Sequence, residues 1–249
     1  MITTKVNAAE VMEVEECAPR AGVWFLNWKI KEKQISQRIE TNKNYYEGSG
    51  IYALGYDNFL IYVGSYLGKN LLKGQKKYAN FSGDIVKDRW WKHIETITTR
   101  GHKVHTTAGN LKKLREELGD QHVMIDGFLQ GDRDKLHKPN GADAALRRLK
   151  FAAENSKDFY EKCVKPEDVL RRFTVVYVRF EKVPEYTNSQ KLKNVIDESE
   201  SRLIKSLAPL CNSKHVPIGK AAIHVPIEEA ARLIEIELAA GLTRLGVKV

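Results

Sequence analysis

The feature that most constrains this chain is a short hairpin signal. Gly50-Ile51-Tyr52 is followed by Tyr62-Val63-Gly64, with Gly55-Tyr56-Asp57-Asn58 between them. The four central residues carry turn chemistry, and the flanks are apolar and aromatic. This predicts a strand from about Gly50 to Leu54, a tight turn, and a second strand from about Phe59 to Val63. Two tyrosines therefore stand on one hairpin beside glycines. A strand tyrosine is most often a packing residue, so the hairpin alone specifies no chemistry.

Charge narrows the field. The 249 residues carry a formal net charge of +9 and a pI of about 9.3. The excess gathers between Tyr66 and Arg115, where Lys69, Lys73, Lys76, Lys77, Arg89 and their neighbours are opposed by Asp84, Asp88 and Glu95 alone. A basic sector on a mixed background is the footprint expected of a nucleic-acid partner, although a solvated surface carries the same charges. Cys17, Cys163 and Cys211 are odd in number and form no CxxC pair. Neither a disulfide framework nor a zinc knuckle is expected, and a reducing, intracellular, cytoplasmic setting fits best. The N-terminus lacks a basic start with an apolar core, and no apolar run reaches the length of a membrane span.

Beyond the hairpin, residues 9–16 suggest a short helix and Val23 to Ile30 a strand or buried apolar segment. Asp84 to Thr98 reads as a helix capped by Ser82 or Asp84, and Asn110 to Leu118 as another closed by Gly119. Val123 to Leu129 suggests a short strand. Ala142 to Cys163 is rich in helix formers, and Pro166 opens a short helix to about Arg171. Phe173 to Phe180 is the clearest strand. Ser189 to Leu207 is a long helical stretch stopped by Pro209. A final helix begins near Pro226 and runs to about Ala240, with Gly241 as its end.

Arg89 and His93 are four apart on the predicted helix and share a face. Glu200 lies on the long helix and Asn212 just beyond it. In chain order this presents Tyr52, Tyr62, Arg89, His93, Glu200 and Asn212. Phosphodiester hydrolysis needs a group to activate water, a cation for the phosphate charge and a stabiliser for the leaving oxygen. Arginine's planar, permanently charged fork suits phosphate. A single glutamate suffices for Mg²⁺, which keeps several waters. Tyrosine ordinarily titrates near 10, so it needs a neighbour to take its proton, and His93 is the natural acceptor.

These residues resemble the GIY-YIG nuclease superfamily. Its hairpin reads Gly50-Ile51-Tyr52 and Tyr62-Val63-Gly64 here, and its Arg-Trp-x-x-His helix reads Arg89-Trp90-Trp91-Lys92-His93. Its later glutamate helix, followed by a Pro-containing stretch and an asparagine, matches Glu200 and Pro209-Leu210-Cys211-Asn212. The resemblance implies an α+β fold, with a small central sheet carrying the hairpin and flanked by helices. It implies Tyr52 as base or water-positioner, Tyr62 as a second contact, Arg89 as charge stabiliser and His93 as proton relay. Glu200 would bind Mg²⁺ or Mn²⁺, and Asn212 would organise the site. His102 is the nearest match to a downstream histidine of some members, with His105 competing. Glu198 and Glu181 are rivals to Glu200, because the chain from about 119 to 172 reads as an insertion separating the glutamate from the arginine helix. The layout expected is an N-terminal extension over 1–47 and a nuclease-like domain over 48–249. Lys69, Lys73, Lys76, Lys77 and His102 are the expected nucleic-acid contacts. A sequence-specific DNA endonuclease of the Type II restriction kind, acting on double-stranded DNA as a homodimer, fits this reading best. A homing or repair nuclease and a non-catalytic nucleic-acid binder are the alternatives.

Overall fold

Strand β4 (Gly50–Tyr56) and strand β5 (Phe59–Tyr66) form an antiparallel hairpin. Asp57 and Asn58 turn it with φ of 49° and 68°, the left-handed pair that a two-residue hairpin turn requires. The structure is a computed structural model, described for residues 1–16, 28–33, 46, 48–67, 84–100, 104–122, 125, 142–160, 164–180 and 189–246. Both strands run further than predicted: β4 pairs with a second neighbour along its whole length, and β5 continues to Tyr66 opposite Gly50. The sheet is four-stranded, in the order β1-β8-β4-β5, with β1 at Ile2–Asn7 and β8 at Phe173–Arg179. Every pairing in it is antiparallel.

Residues of the N-terminal extension thus belong to the main sheet through β1. The helix expected over 9–16 is instead a four-residue α1 (Ala8–Val11), capped by Asn7 and Glu10, followed by β2 (Met12–Glu16). Strand β2 pairs with β3 (Trp28–Glu32), which lies within and just past the predicted Val23–Ile30 segment. The strand predicted over Val123–Leu129 falls outside the described residues except for buried Ile125.

The sheet has two buried faces, and the alternation of β4 sorts its side chains between them. Tyr52, Leu54 and Tyr56 pack into one cluster, and Ile51 and Ala53 into the other. Register shifts between Leu54 and Gly55, so Leu54 faces Tyr62 while Gly55 faces Leu60. This bulge reverses the facing parity along β5: Leu60 joins the Ile51 side, yet Tyr62 stands on the Tyr52 side. Without it the two tyrosines would not share a face.

The Tyr52 side is covered by a π-helical turn (Val86–Trp90), α2 (Trp91–Thr98), α3 (Ala108–Leu118) and α4 (Leu146–Glu154). Asp84 caps the π-helical turn through the Val86 amide at 2.8 Å. Trp90 is fully buried between Tyr46 and Tyr177, while half-buried Trp91 donates its indole N–H to the Lys87 carbonyl at 2.7 Å. Two two-residue strands, β6 (Val104–His105) and β7 (Ala142–Asp143), pair in parallel, with β7 beside α2. The single helix expected from Ala142 to Cys163 is broken: α4 ends at Glu154 and α5 (Ser156–Tyr160) restarts after Asn155. The Asn155 side chain donates to the Phe151 carbonyl at 2.8 Å, a local bond that competes with helix continuation. Then α6 (Pro166–Arg171) leads into β8.

The opposite face is covered by α7 (Ser189–Leu207) and α8 (Ile227–Arg244). Gly241 does not end α8. A Cβ there would lie 2.7 Å from Val195 Cγ1, so glycine permits the close crossing of α7 and α8. No helix among the described residues is long and apolar enough to cross a membrane. Cys211 is a buried free thiol, and Cys17 and Cys163 lie outside the described residues.

Candidate functional site

Strand β5 is one edge of the sheet, and Tyr52, Tyr62, His93, Glu200 and Asn212 gather along it from both faces. From the hairpin comes Tyr52, 2% exposed, with its hydroxyl 2.6 Å from His93 Nε2. The two glycines of the hairpin motif make this possible. A Cβ on Gly64 would lie 2.5 Å from Tyr52 Cζ and Oη, so the cross-strand position must be glycine for the ring to lie flat over β5. A Cβ on Gly50 would lie 2.1 Å from the Val178 carbonyl, so this glycine lets β4 close against β8.

Tyr62 stands beside Tyr52, with ring centroids 6.1 Å apart. Its ring also lies 4.5 Å from that of His93, tilted by 33°. His93 sits on α2 directly after the π-helical turn that carries Arg89. Such widened turns recur at functional sites because they re-aim the side chains that follow. Tyr66 pins the turn to the hairpin by donating to Asp88 at 2.6 Å, one residue before Arg89. Arg89 is exposed and has no hydrogen bond or ion pair among the described residues, yet its charge reaches Tyr52, Tyr62 and His93.

Glu200 approaches from the other face. On α7 the buried residues Leu192, Val195, Ile196, Ser199, Leu203 and Ile204 form the packed stripe. Glu200 lies one turn from both Ile196 and Ile204, at the rim of that stripe. Ser65 donates to its Oε2 at 2.7 Å. Glu198, the rival, has a side chain 64% exposed and sits 4.0 Å from Arg202. Glu181 lies outside the described residues, as do Lys69, Lys73, Lys76, Lys77 and His102. The backbone of His105 is in β6.

Asn212 is 3% exposed and faces the strand edge, not solvent. Its Oδ1 accepts from the Val63 N–H at 2.9 Å, and its Nδ2 donates to the Val63 carbonyl at 2.7 Å. The Cys211 N–H donates to the Ile61 carbonyl at 2.8 Å. Residues 211–212 thus close part of an otherwise open sheet edge.

Two residues that sequence reasoning missed complete the site, and both lie in the segment read as an insertion. Arg148, on α4, places Nη2 3.2 Å from His93 Nδ1 and its guanidinium carbon 5.1 Å from the Tyr62 ring centroid. Arg147 donates to the carbonyls of Leu210 and Pro209, each at 3.1 Å, and so holds the turn that presents Asn212. Nothing in the local pattern of an Arg-Arg pair on a helix marks either one as a site residue.

Tyr62, Arg148, Glu200, Asn212, Lys214 and His215 line a cleft of about 270 Å³, and Tyr52 lies behind Tyr62. Burial pushes the Tyr52 hydroxyl well above the ordinary phenol range; nearby Tyr62 adds to this, while Arg89 and Arg148 oppose it. Tyr62 is raised by burial as well. Burial holds His93 well below the ordinary imidazole value, helped by Arg148, Arg89 and Lys92, all of which disfavour its protonated form. Burial raises the Glu200 carboxyl, partly offset by the Ser65 hydroxyl. A half-buried carboxylate facing a cleft is a site whose desolvation a divalent cation would relieve. Among the described residues no group of three or more His, Cys, Asp or Glu could cage a metal. Glu200 is the residue that would hold such a cation, and Mg²⁺ suits it because that ion keeps several waters and needs few protein ligands.

No protein-family model, characterised protein or solved structure matches this chain.

Proposed function

We propose that this protein is a divalent-metal-dependent endonuclease that hydrolyses phosphodiester bonds in double-stranded DNA, of the GIY-YIG kind that its hairpin resembles. The observation that carries the reading is the convergence on the β5 edge: the Tyr52–His93 contact at 2.6 Å stands beside Tyr62, Arg148 and Glu200 at one cleft.

Each part has a role that its setting supports. Arg89, exposed and unpaired among the described residues, offers its fork to a phosphate. Tyr62, open to the cleft, meets the phosphate or the attacking water. Tyr52 orients that water from behind, with His93 and Arg148 supporting it. Glu200 holds Mg²⁺ or Mn²⁺, which when bound offsets charge on the phosphate and on the leaving oxygen. Asn212 keeps the β5 edge and the cleft wall in place. The net charge of +9 supplies the non-specific grip on the DNA backbone. Cutting both strands with one site per chain favours a homodimer on a palindromic target, the arrangement of a Type II restriction enzyme in a prokaryotic or phage cytoplasm.

The test is supercoiled plasmid with Mg²⁺, comparing the native chain with Tyr52→Phe and Glu200→Ala. Nicking by the native chain that both variants lose supports the reading. Binding of diverse DNA without any nicking overturns it in favour of a non-catalytic binder. Discrete, reproducible fragments from genomic DNA mark the restriction role; a smear or junction-specific cuts mark repair or homing.

A further inference from the structure

We propose that Arg148 is a positioning residue that fixes His93 in its Nε2–H tautomer, so that His93 donates a hydrogen bond to Tyr52 Oη instead of accepting one. The catalytic consequence rests on the nuclease reading above; the tautomer itself does not.

Arginine has five N–H donors and no acceptor. Where Arg148 Nη2 meets His93 Nδ1 at 3.2 Å, the ring nitrogen must therefore be the acceptor. A neutral imidazole has one proton to place, so it goes to Nε2, which lies 2.6 Å from Tyr52 Oη. The alternative tautomer would set an Nδ1–H against the guanidinium, donor against donor. An imidazolium would do the same and add a cation beside Arg148, Arg89 and Lys92 in a buried place, which is why its titration is depressed.

The guanidinium is not free to turn away. Its Nη1 donates to Thr96 Oγ1, and the Thr96 hydroxyl donates to the His93 carbonyl at 3.0 Å. The Tyr62 ring supports it from one side at 5.1 Å. Behind it the Arg148 amide donates to Ala145 O at 2.9 Å at the start of α4. Three elements distant in sequence thus fix one proton.

The consequence reverses the relay expected from sequence. With Nδ1 engaged and Nε2 protonated, His93 has no lone pair for the proton of Tyr52. Tyr52 accepts from His93 and directs its own O–H elsewhere. If that proton leaves to solvent, the Nε2–H remains on His93 and holds the phenolate oxygen, and no proton is deposited on the imidazole.

The experiment is long-range ¹H–¹⁵N correlation on the histidine-labelled full chain at neutral pH, with the His93 signals identified by their loss in His93→Gln. The native chain is expected to show Nε2 at a protonated shift and Nδ1 at an unprotonated one. Arg148→Met is expected to shift population toward the Nδ1–H form, and Arg148→Lys, which restores a donor, to return it. An Nδ1–H native ring overturns the proposal, as does an unchanged tautomer in folded Arg148→Met. In the plasmid assay, Arg148→Met is expected to slow nicking about 10- to 100-fold, the range seen when a residue that orients a metal ligand is removed, read as the single-turnover rate at saturating protein so that a change in DNA affinity does not enter. Arg148→Lys is expected to recover most of the rate. A native chain with the expected tautomer that never nicks DNA sinks the nuclease reading and leaves the role of Arg148 standing.

Discussion

Asn212 places both ends of its side-chain amide on a single residue, Val63, accepting from its N–H at 2.9 Å and donating to its C=O at 2.7 Å. It does for the edge of β5 what a fifth strand would do. The candidate cleft lies directly over this joint, so the integrity of the sheet edge and the shape of the site are one property. Asn212→Ala leaves two buried backbone groups without partners. A loss of about 1–3 kcal/mol is expected, read as a lower urea midpoint at unchanged slope. Asn212→Asp keeps the acceptor but turns a carboxylate oxygen toward the Val63 carbonyl, so it is not expected to restore the midpoint.

Gly64 is expected to be intolerant of any side chain because the Tyr52 ring occupies its Cβ position. Gly64→Ala should cost about 1–3 kcal/mol, as overpacking does, and should separate Tyr52 from His93. In a Tyr52→Ala background the same change should cost much less. A double-mutant cycle measures this coupling; additive effects would show that the clash is with something else.

Arg89 separates function from stability. Its exposure and lack of a hydrogen-bond or ion-pair partner among the described residues place Arg89→Ala within about 0.5 kcal/mol of the native chain in denaturation. Nicking should fall at least about 100-fold if the side chain stabilises phosphate charge. Arg89→Lys should recover only part of this, since an ammonium lacks the planar fork. Native rates in Arg89→Ala would remove Arg89 from the site.

His93 makes a signed prediction about pH. Its folded value lies below its unfolded one, through burial and through Arg148, Arg89 and Lys92. As pH falls below about 6.5, the unfolded chain binds a proton that the folded chain refuses, so unfolding becomes easier. The contribution is intact above that pH and is lost progressively below it. The denaturation midpoint of the native chain should therefore drop between pH 7 and pH 5 more than that of His93→Gln. Glutamine keeps an acceptor for Arg148 and a donor for Tyr52 but does not titrate. Parallel pH profiles for the two proteins would show that His93 is accessible and titrates normally.

Much of the fold was legible because it depends on local patterns. Asp57-Asn58 carried the turn, the run from Phe173 carried a central strand, and Ser189 to Leu207 carried a helix with the bounds that the structure shows. The errors arose where tertiary contact overrode a local rule. Gly241 looked like a helix end and is instead a close crossing with Val195. The stretch from Ala142 looked like one helix and breaks at Asn155.

The candidate site divides in the same way. The sequence by itself determined that Tyr52 and Tyr62 lie on one hairpin and that Arg89 and His93 lie one turn apart, because those relationships are set by strand and helix periods over a few residues. Only the tertiary structure decided that Glu200 turns toward Tyr62, that Asn212 closes the β5 edge, and that Arg148 from the middle of the chain meets His93. Those meetings are made by side chains from segments far apart in sequence, and their partners are chosen by how the layers pack on the two faces of the sheet. No local period encodes that choice.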